Sequence, residues 1–391
     1  MPDGLARALT GTGDDTDAYG RWLDECQRHA VLIKETGQVR IHALTAAAVL
    51  ATTPDAALEM AVTRAAARLD AISLPDPVST RGEIAHHEAL EAQAERQLDA
   101  MHPGRLNLEL ALGNAYRDLG RAAESITLLE ALTERLENAL GAEHPDTLGS
   151  RNNLANAYRE AGRTADAIAL HEENLPLRVR VVGAEHPDTL GSRNNLAIAY
   201  RAAGRTAEAI ALHEENLPLR VRVLGAEHPD TLGSRNNLAA AYWAAGRTAE
   251  AIALHEENLP LRVRVLGAEH PETLGSRNNL AAAYLTTGRV DEAIALHEEN
   301  LPLRVRVLGA EHPDTLGSRN NLAAAYRIAG RTAEAIALHE QNLPAQVRVL
   351  GAEHPSTLRA RNNLAIAYRA AGREADADRL MAEGGGEGGA G

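Results

Sequence analysis

Residues 183–224 read GAEHPDTLGSRNNLAIAYRAAGRTAEAIALHEENLPLRVRVL, from Gly183 to Leu224. The His-Pro pair inside this stretch returns at His102, His144, His186, His228, His270, His312 and His354, always 42 residues on. Five copies, from Leu148 to Thr357, are close to identical. A divergent copy (106–147) precedes them and a truncated one (358–383) follows. A fixed internal period of this length marks a stacked array of small units, so it decides the fold before any single helix is weighed.

Each unit reads as two helices. Pro187 suits the first position of a helix and Asp188 suits its positive N-terminus. Leu190, Leu196, Ala197 and Tyr200 then recur at helical spacing, and Gly204 ends the segment as a left-handed C-terminal residue would. A second helix is expected over Thr206–Leu224, with Ala209, Ile210, Leu217, Val221 and Leu224 on its apolar face and Gly225 closing it. A short turn between two helices makes them antiparallel. One such hairpin has too few large apolar side chains to offset the ordering of its own backbone, so neighbouring copies must stack and share a core.

Leu196-Ala197, Tyr200, Gly204 and Ala209 have the spacing of the tetratricopeptide signature. With the 42-residue period, the His-Pro-Asp opening and the Asn-Asn-Leu-Ala core, residues 106–383 resemble the kinesin-light-chain subtype of that family, which also occurs in bacterial proteins. The heptad segment that binds the kinesin motor has no counterpart. The resemblance implies an all-α, right-handed α-solenoid whose first helices line a concave groove. Its repeats would be 106–147, 148–189, 190–231, 232–273, 274–315, 316–357 and a partial 358–383.

The same resemblance assigns candidate peptide-binding positions. They are six Asn pairs: Asn152 with Asn153, Asn194 with Asn195, Asn236 with Asn237, Asn278 with Asn279, Asn320 with Asn321, and Asn362 with Asn363. Asn156 follows one turn further on, and then come Arg159, Arg201, Trp243, Leu285, Arg327 and Arg369. These last positions differ among otherwise copied repeats. Asn amides can bond a peptide backbone as donor and acceptor, Arg can grip a carboxylate, and Trp can anchor an apolar side chain. The expected ligand is an extended, acidic peptide with an apolar anchor. The first copy has Leu110 and Ala111 in place of the Asn pair, so the groove is expected to start after it.

Three recurrent residues depart from the family pattern. His171, His213, His255, His297 and His339 stand where a bulky apolar residue is usual, and Asn174 and its equivalents stand where Ala is usual. Both lie on the packing face. A hydrogen-bonded His–Asn ladder, with Arg151 and its equivalents as third members, is therefore expected. Stacked copies about 10 Å apart cannot share one metal ion. Burial would also hold these histidines neutral. Third, Pro176, Pro218, Pro260, Pro302 and Pro344 fall inside the second helix, where a kink or break is expected.

Residues 1–14 read as disordered and 384–391 as a flexible Gly-rich tail. Residues 15–105 read as a helical region, either degenerate hairpins capping the array or a separate small domain. Helices are expected at 15–35, 39–51, 55–72 and 80–100, and His87–Pro103 aligns with His171–Pro187 two periods on.

A net charge of −14 argues against general nucleic-acid binding. Neither a signal peptide nor a membrane-length apolar run is evident. One cysteine, Cys26, rules out an internal disulfide. A soluble, cytoplasmic protein is expected, and the Arg-rich, Lys-poor composition suggests a high-GC bacterial source. Lys34, the one lysine, lies in Val-Leu-Ile-Lys-Glu, so no phosphate loop exists. Cys26 and His29 lack a third catalytic group, and the repeated Glu172-Glu173 pair reads as solvent-facing. No enzyme activity, cofactor, metal, membrane, nucleic-acid or small-molecule partner is expected. A protein or peptide partner is expected instead, bound by an adaptor. The alternatives are a peptide-responsive sensor acting through the N-terminal helices and, more remotely, an enzyme using that region.

Overall fold

A computed structural model describes residues 32–35 and 38–41 as backbone, and residues 87–92 and 94–383 in full. Chain contacts divide it into two compact units, Met1–Ala203 and Gly204–Gly391. In the first unit lie strands β1 (Leu32–Glu35) and β2 (Gln38–Ile41), helical residues 87–92 and 94–97, and helices α1 (Pro103–Asp118), α2 (Ala122–Leu140), α3 (Pro145–Glu160), α4 (Thr164–Val182) and α5 (Pro187–Ala202). In the second lie α6 (Thr206–Leu224), α7 (Pro229–Ala244), α8 (Thr248–Val265), α9 (Pro271–Thr286), α10 (Val290–Leu308), α11 (Pro313–Ile328), α12 (Thr332–Leu350), α13 (Pro355–Ala370) and α14 (Glu374–Glu383). Within each unit every helix packs on the next, and alternate helices also meet: α1 with α3 and α3 with α5, then α7 with α9, α9 with α11 and α11 with α13. From Pro103 on, each unit is by itself an all-α solenoid arrangement of consecutive packed helices.

The helix boundaries follow from local chemistry. His186 is the N-cap of α5, and its Nδ1 accepts the backbone N–H of Asp188 at 3.2 Å. Pro187 fills the first position, where a missing N–H costs nothing. Gly204, at φ 75°, lets the chain reverse between α5 and the following segment without a Cβ clash. Longer side chains pack over a floor of alanine: Ala197, Ala199, Ala209, Ala239 and Ala241 are fully buried, beside Leu190 and Leu232. Small residues on the contact face let helices approach closely, so a chain without phenylalanine still closes its core.

Two expectations are corrected. Leu32–Glu35 and Gln38–Ile41 form an antiparallel pair with Leu32 opposite Ile41 and Glu35 opposite Gln38. A helix over 15–35 therefore cannot run to its expected end, nor one over 39–51 begin where expected. Ile33, Val39 and Ile41 are β-branched, and the register leaves the Thr-Gly pair between the paired ends, a combination that favours a hairpin over a helix. The rest of those two helices, the helix over 55–72, the start of the one over 80–100, Cys26 and both termini lie outside the described residues.

The second correction concerns proline. Helices α4, α6, α8, α10 and α12 run unbroken through Pro176, Pro218, Pro260, Pro302 and Pro344. Each proline is on the exposed side of its helix, as is Glu172, whose carbonyl Pro176 leaves without an amide partner. A carbonyl facing water keeps a hydrogen-bonding partner, and the buried side of the helix holds its path.

Candidate interaction face

The first helices α3, α5, α7, α9, α11 and α13 each carry the Asn pair near their middle. Leu154, Ala155 and Ala157 (and their equivalents) are buried in the hairpin, which leaves the Asn pair half-buried or exposed on another side of the helix. In the first unit Asn195 Nδ2 donates to Asn152 Oδ1 at 3.2 Å. In the second, Asn279 donates to Asn236 at 3.4 Å and Asn321 to Asn278 at 2.8 Å. In these three pairs the second Asn of one repeat bonds the first Asn of the repeat before it. Asn236 also accepts from Ser276 Oγ at 3.5 Å, and Asn320 accepts from the buried Asn342 at 2.9 Å. These contacts fix the amides: Asn152, Asn236, Asn278 and Asn320 spend their carbonyls within the protein and keep their NH₂ groups as donors.

The pattern stops at the two ends of the series of Asn pairs. Asn153 is half-buried on α3, but the copy before it has Leu110 in place of a leading Asn, so it has no rung to join. Asn194 on α5 and Asn237 on α7 are half-buried beside the buried Leu196 and Leu238. Asn363 is half-buried on α13, and the Oδ1 of Asn320 in the repeat before it accepts from Asn342. Asn362, its neighbour, is exposed. Asn153 and Asn363, at the two ends of the expected site, share the face with the bonded pairs.

One turn on stand Asn156 and Ile198 in the first unit, and Ala240, Ala282, Ala324 and Ile366 in the second, with Ile366 45% exposed. The next column holds the charged and bulky residues. Arg159 pairs with Glu160 at 2.6 Å. Arg201 is held below its usual range by burial, and secondarily by the neighbouring Arg159 charge. Trp243 is 47% exposed, whereas Leu285 is half-buried against the core cluster of Ile294, Leu322 and Ala325. Arg369 is engaged by Asp378 at 3.4 Å and Glu374 at 3.7 Å. Arg327 is exposed, and no carboxylate pairs with it among the described residues. In the first copy Ala111 is buried and Leu110 packs into the core, so no amide rung stands there.

The expected His–Asn–Arg ladder is not formed. His171, His213, His255, His297 and His339 are buried as expected, at 1–4% exposure. The neighbouring amides, however, bond backbone: Asn174 Nδ2 donates to Leu148 C=O, Asn258 to Leu232, Asn300 to Leu274 and Asn342 to Leu316, each at 2.9 Å. Neither ring nitrogen of His171, His297 or His339 bonds another protein group. Burial pushes His171, His255, His297 and His339 down to about 4, assisted by Arg159 and Arg178 at His171, Arg262 at His255, Arg304 at His297 and Arg327 at His339. Arg151 turns instead to Glu137, at 2.7 Å.

Two recurrent features were missed at the level of sequence. Arg178, Arg220, Arg262 and Arg304 are buried, and the last three donate to the backbone carbonyls of Asp230, Glu272 and Asp314 at the start of the next repeat, at 2.9, 2.9 and 3.1 Å. A Tyr–Glu–Arg clamp also joins successive hairpins. Tyr284 OH donates to Glu256 at 2.7 Å while Arg289 reaches the same carboxylate at 2.9 Å and lies 3.9 Å over the Tyr284 ring. Glu172, which is exposed like its neighbour Glu173, accepts from Tyr200 at 2.8 Å in the same way. Glu88 holds Tyr116 and Arg121, both at 2.9 Å, so helical residues 87–92 and 94–97 meet α1 as a second helix meets the next first helix. Sequence spacing offered a signal: Tyr lies 28 residues after its Glu in each copy.

Tetratricopeptide repeat models match residues 104–178, 150–220, 188–262, 230–299, 272–346 and 315–384. The chain belongs to the tetratricopeptide repeat family. A Podosopora anserina protein with nearly identical TPR-like repeats, assigned to the kinesin light chains, is 34% identical; the match covers 53% of this chain and 98% of that one, with a TM-score of 0.46. The apo quorum sensor NprR of B. thuringiensis shares this tetratricopeptide chain's fold over 98% of this chain and 96% of its own, at 14% identity and TM-score 0.59. A Rap protein complexed with Competence and Sporulation Factor does so over 97% and 96%, at 12% identity and TM-score 0.57. No curated protein sequence matches the chain. Among the described residues no group of three or more metal-binding side chains converges, and no helix is long and apolar enough to cross a membrane.

Proposed function

We propose that this tetratricopeptide chain is a protein-interaction scaffold that binds an extended, acidic peptide segment of a partner across the first-helix faces of its repeats. The observation that carries this reading is the set of Asn rungs cross-linked between repeats, at Asn152–Asn195, Asn236–Asn279 and Asn278–Asn321. Pre-oriented amides bind a peptide backbone without first being ordered, which lowers the cost of association. Beside the rungs lies the column in which otherwise copied repeats differ. Residues that vary on a fixed frame are where partner choice can be written. Arg201 and Arg327 supply positive charge there, against the negative balance of the whole chain.

The test is selection from a random peptide library on the intact chain and on an Asn236→Ala, Asn278→Ala, Asn321→Ala variant. Peptides enriched on the intact chain are expected to lose most of their affinity for the variant. Equal binding to both would remove the first-helix face from the mechanism. NprR and Rap proteins motivate a second reading, in which peptide binding is sensed and relayed. A ligand-dependent change in hydrogen exchange over residues 87–118 separates a sensor from a passive scaffold.

A further inference from the structure

The second unit carries enough geometry to specify the spacing of the ligand's side chains. This step rests on the peptide-binding proposal and adds the register. First helices α7, α9 and α11 pack side by side, and Asn279–Asn236 and Asn321–Asn278 bonds tie them at one level. Packed helix axes lie about 8–10 Å apart. A polyproline-type extended chain advances about 3.1 Å per residue and brings every third side chain back to the same side, so about three residues carry it from one helix to the next. A peptide whose backbone meets one Asn rung per repeat must therefore present every third side chain to the neighbouring column.

That column in the second unit reads Trp243, Leu285, Arg327. Trp243 is 47% exposed and offers a broad apolar surface. Leu285, half-buried over the core of Ile294, Leu322 and Ala325, adds a smaller apolar patch. Arg327 has a guanidinium that no described carboxylate neutralises. Arg369, next in the column, is already held by Asp378 and Glu374 and closes the series. We infer that the second unit recognises a partner peptide with two apolar residues and one carboxylate at three-residue intervals, apolar–x–x–apolar–x–x–Asp/Glu, read along the chain from Trp243 to Arg327. The spacing rule holds for either peptide direction, because the helix separation and the rise per residue have no polarity.

The test uses fluorescein-labelled synthetic peptides, with Ser and Ala as spacers and Leu, Leu and Glu as the three anchors, titrated into the full chain by anisotropy. Peptides with anchors three apart, in both directions, are compared with peptides whose anchors are two or four apart. The expected result is at least tenfold tighter binding for one of the three-apart peptides. Arg327→Gln should then erase the preference for Glu over Gln at the third anchor while leaving the apolar preference. Trp243→Ala should weaken all anchored peptides. Equal affinity at every spacing, with binding still lost in Asn236→Ala, Asn278→Ala, overturns the register and leaves the peptide groove standing. Binding that ignores the Asn substitutions as well overturns both. Failure of every anchored peptide to bind refutes the register.

Discussion

Lowering the pH from 7.5 to 5.5 should loosen the histidine-bearing repeats and spare the first one. His171, His255, His297 and His339 hold folded-state values near 4 against an ordinary value of 6.5, with burial as the main cause. The folded value is the lower one, so the unfolded chain takes up protons first as pH falls through 6.5. Their contribution is therefore complete above about pH 6.5, is lost between 6.5 and 4, and falls no further below 4. At pH 5.5 each histidine favours the unfolded chain by about 1.4 kcal/mol, compared with less than about 0.1 at pH 7.5, from the linkage of proton binding to folding. The four together shift the balance by about 5 kcal/mol, distributed along the array instead of acting on one transition, because repeats unfold through their neighbours. Leu129 occupies the corresponding site in the first copy, fully buried, so leucine fits there. The assay is thermal melting by circular dichroism at both pH values, for the natural chain and for His171→Leu, His255→Leu, His297→Leu, His339→Leu together. The natural chain should lose many degrees at pH 5.5 and the variant few. The exposed N-cap histidines, His144 through His354, are present in both proteins and cancel. Equal losses in the two proteins would refute the assignment of the pH response to the buried rings.

Other perturbations probe the frame. Leu274→Ala, at a fully buried site, should cost about 2–5 kcal/mol by cavity formation, seen as an early local transition in urea. Asn300→Ala strips the Leu274 carbonyl of its side-chain donor and should cost about 1–3 kcal/mol, with hydrogen exchange rising in α9 and α10. Pro260→Ala restores a backbone bond in a helix that is already continuous, so the melting temperature should rise, by up to roughly 3 kcal/mol of stability less the gain in unfolded-chain entropy.

The helical frame was legible because its signals are local. Pro187 starts α5 and Thr206–Leu224 forms α6 as spacing and turn residues require, since a cap and a periodic face act within a few residues of each other. What failed was the bonding partner of a buried polar side chain, since the histidines are buried as expected but not bonded as expected. Asn174 lies three residues from His171, and adjacency on a helix suggested a bond between them. Its amide instead reaches Leu148, 26 residues earlier, on the facing helix. Arg262 sits in Arg-Val-Arg-Val, a pattern that reads as surface, yet it is 3% exposed because the start of the next repeat folds over it. The β1–β2 pair failed for a related reason: apolar residues in a segment of about twenty fit a helical face, while four-residue strands carry too short a pattern to compete.

The candidate face stands between these cases. Its Asn pairs were found by their place in the repeat, which fixes which side of the helix they occupy. Their mutual bonds were not, because Asn236 and Asn279 are 43 residues apart and only stacking by one repeat brings them together. Asn153 shows the same limit from the other side, since it has the position of a rung while the copy before it carries Leu110 instead of Asn. The distinction bears on function. A repeat-borne position can be read in one copy, but a ladder exists only between copies, so any partner that uses the rungs senses the stacking itself. Loosening the stack should therefore weaken peptide binding even where no groove residue changes. Asn300→Ala, which lies behind the face, separates the two effects: lost affinity with Trp243 and Arg327 intact would show that binding depends on the order of the array, and unchanged affinity would confine recognition to single hairpins.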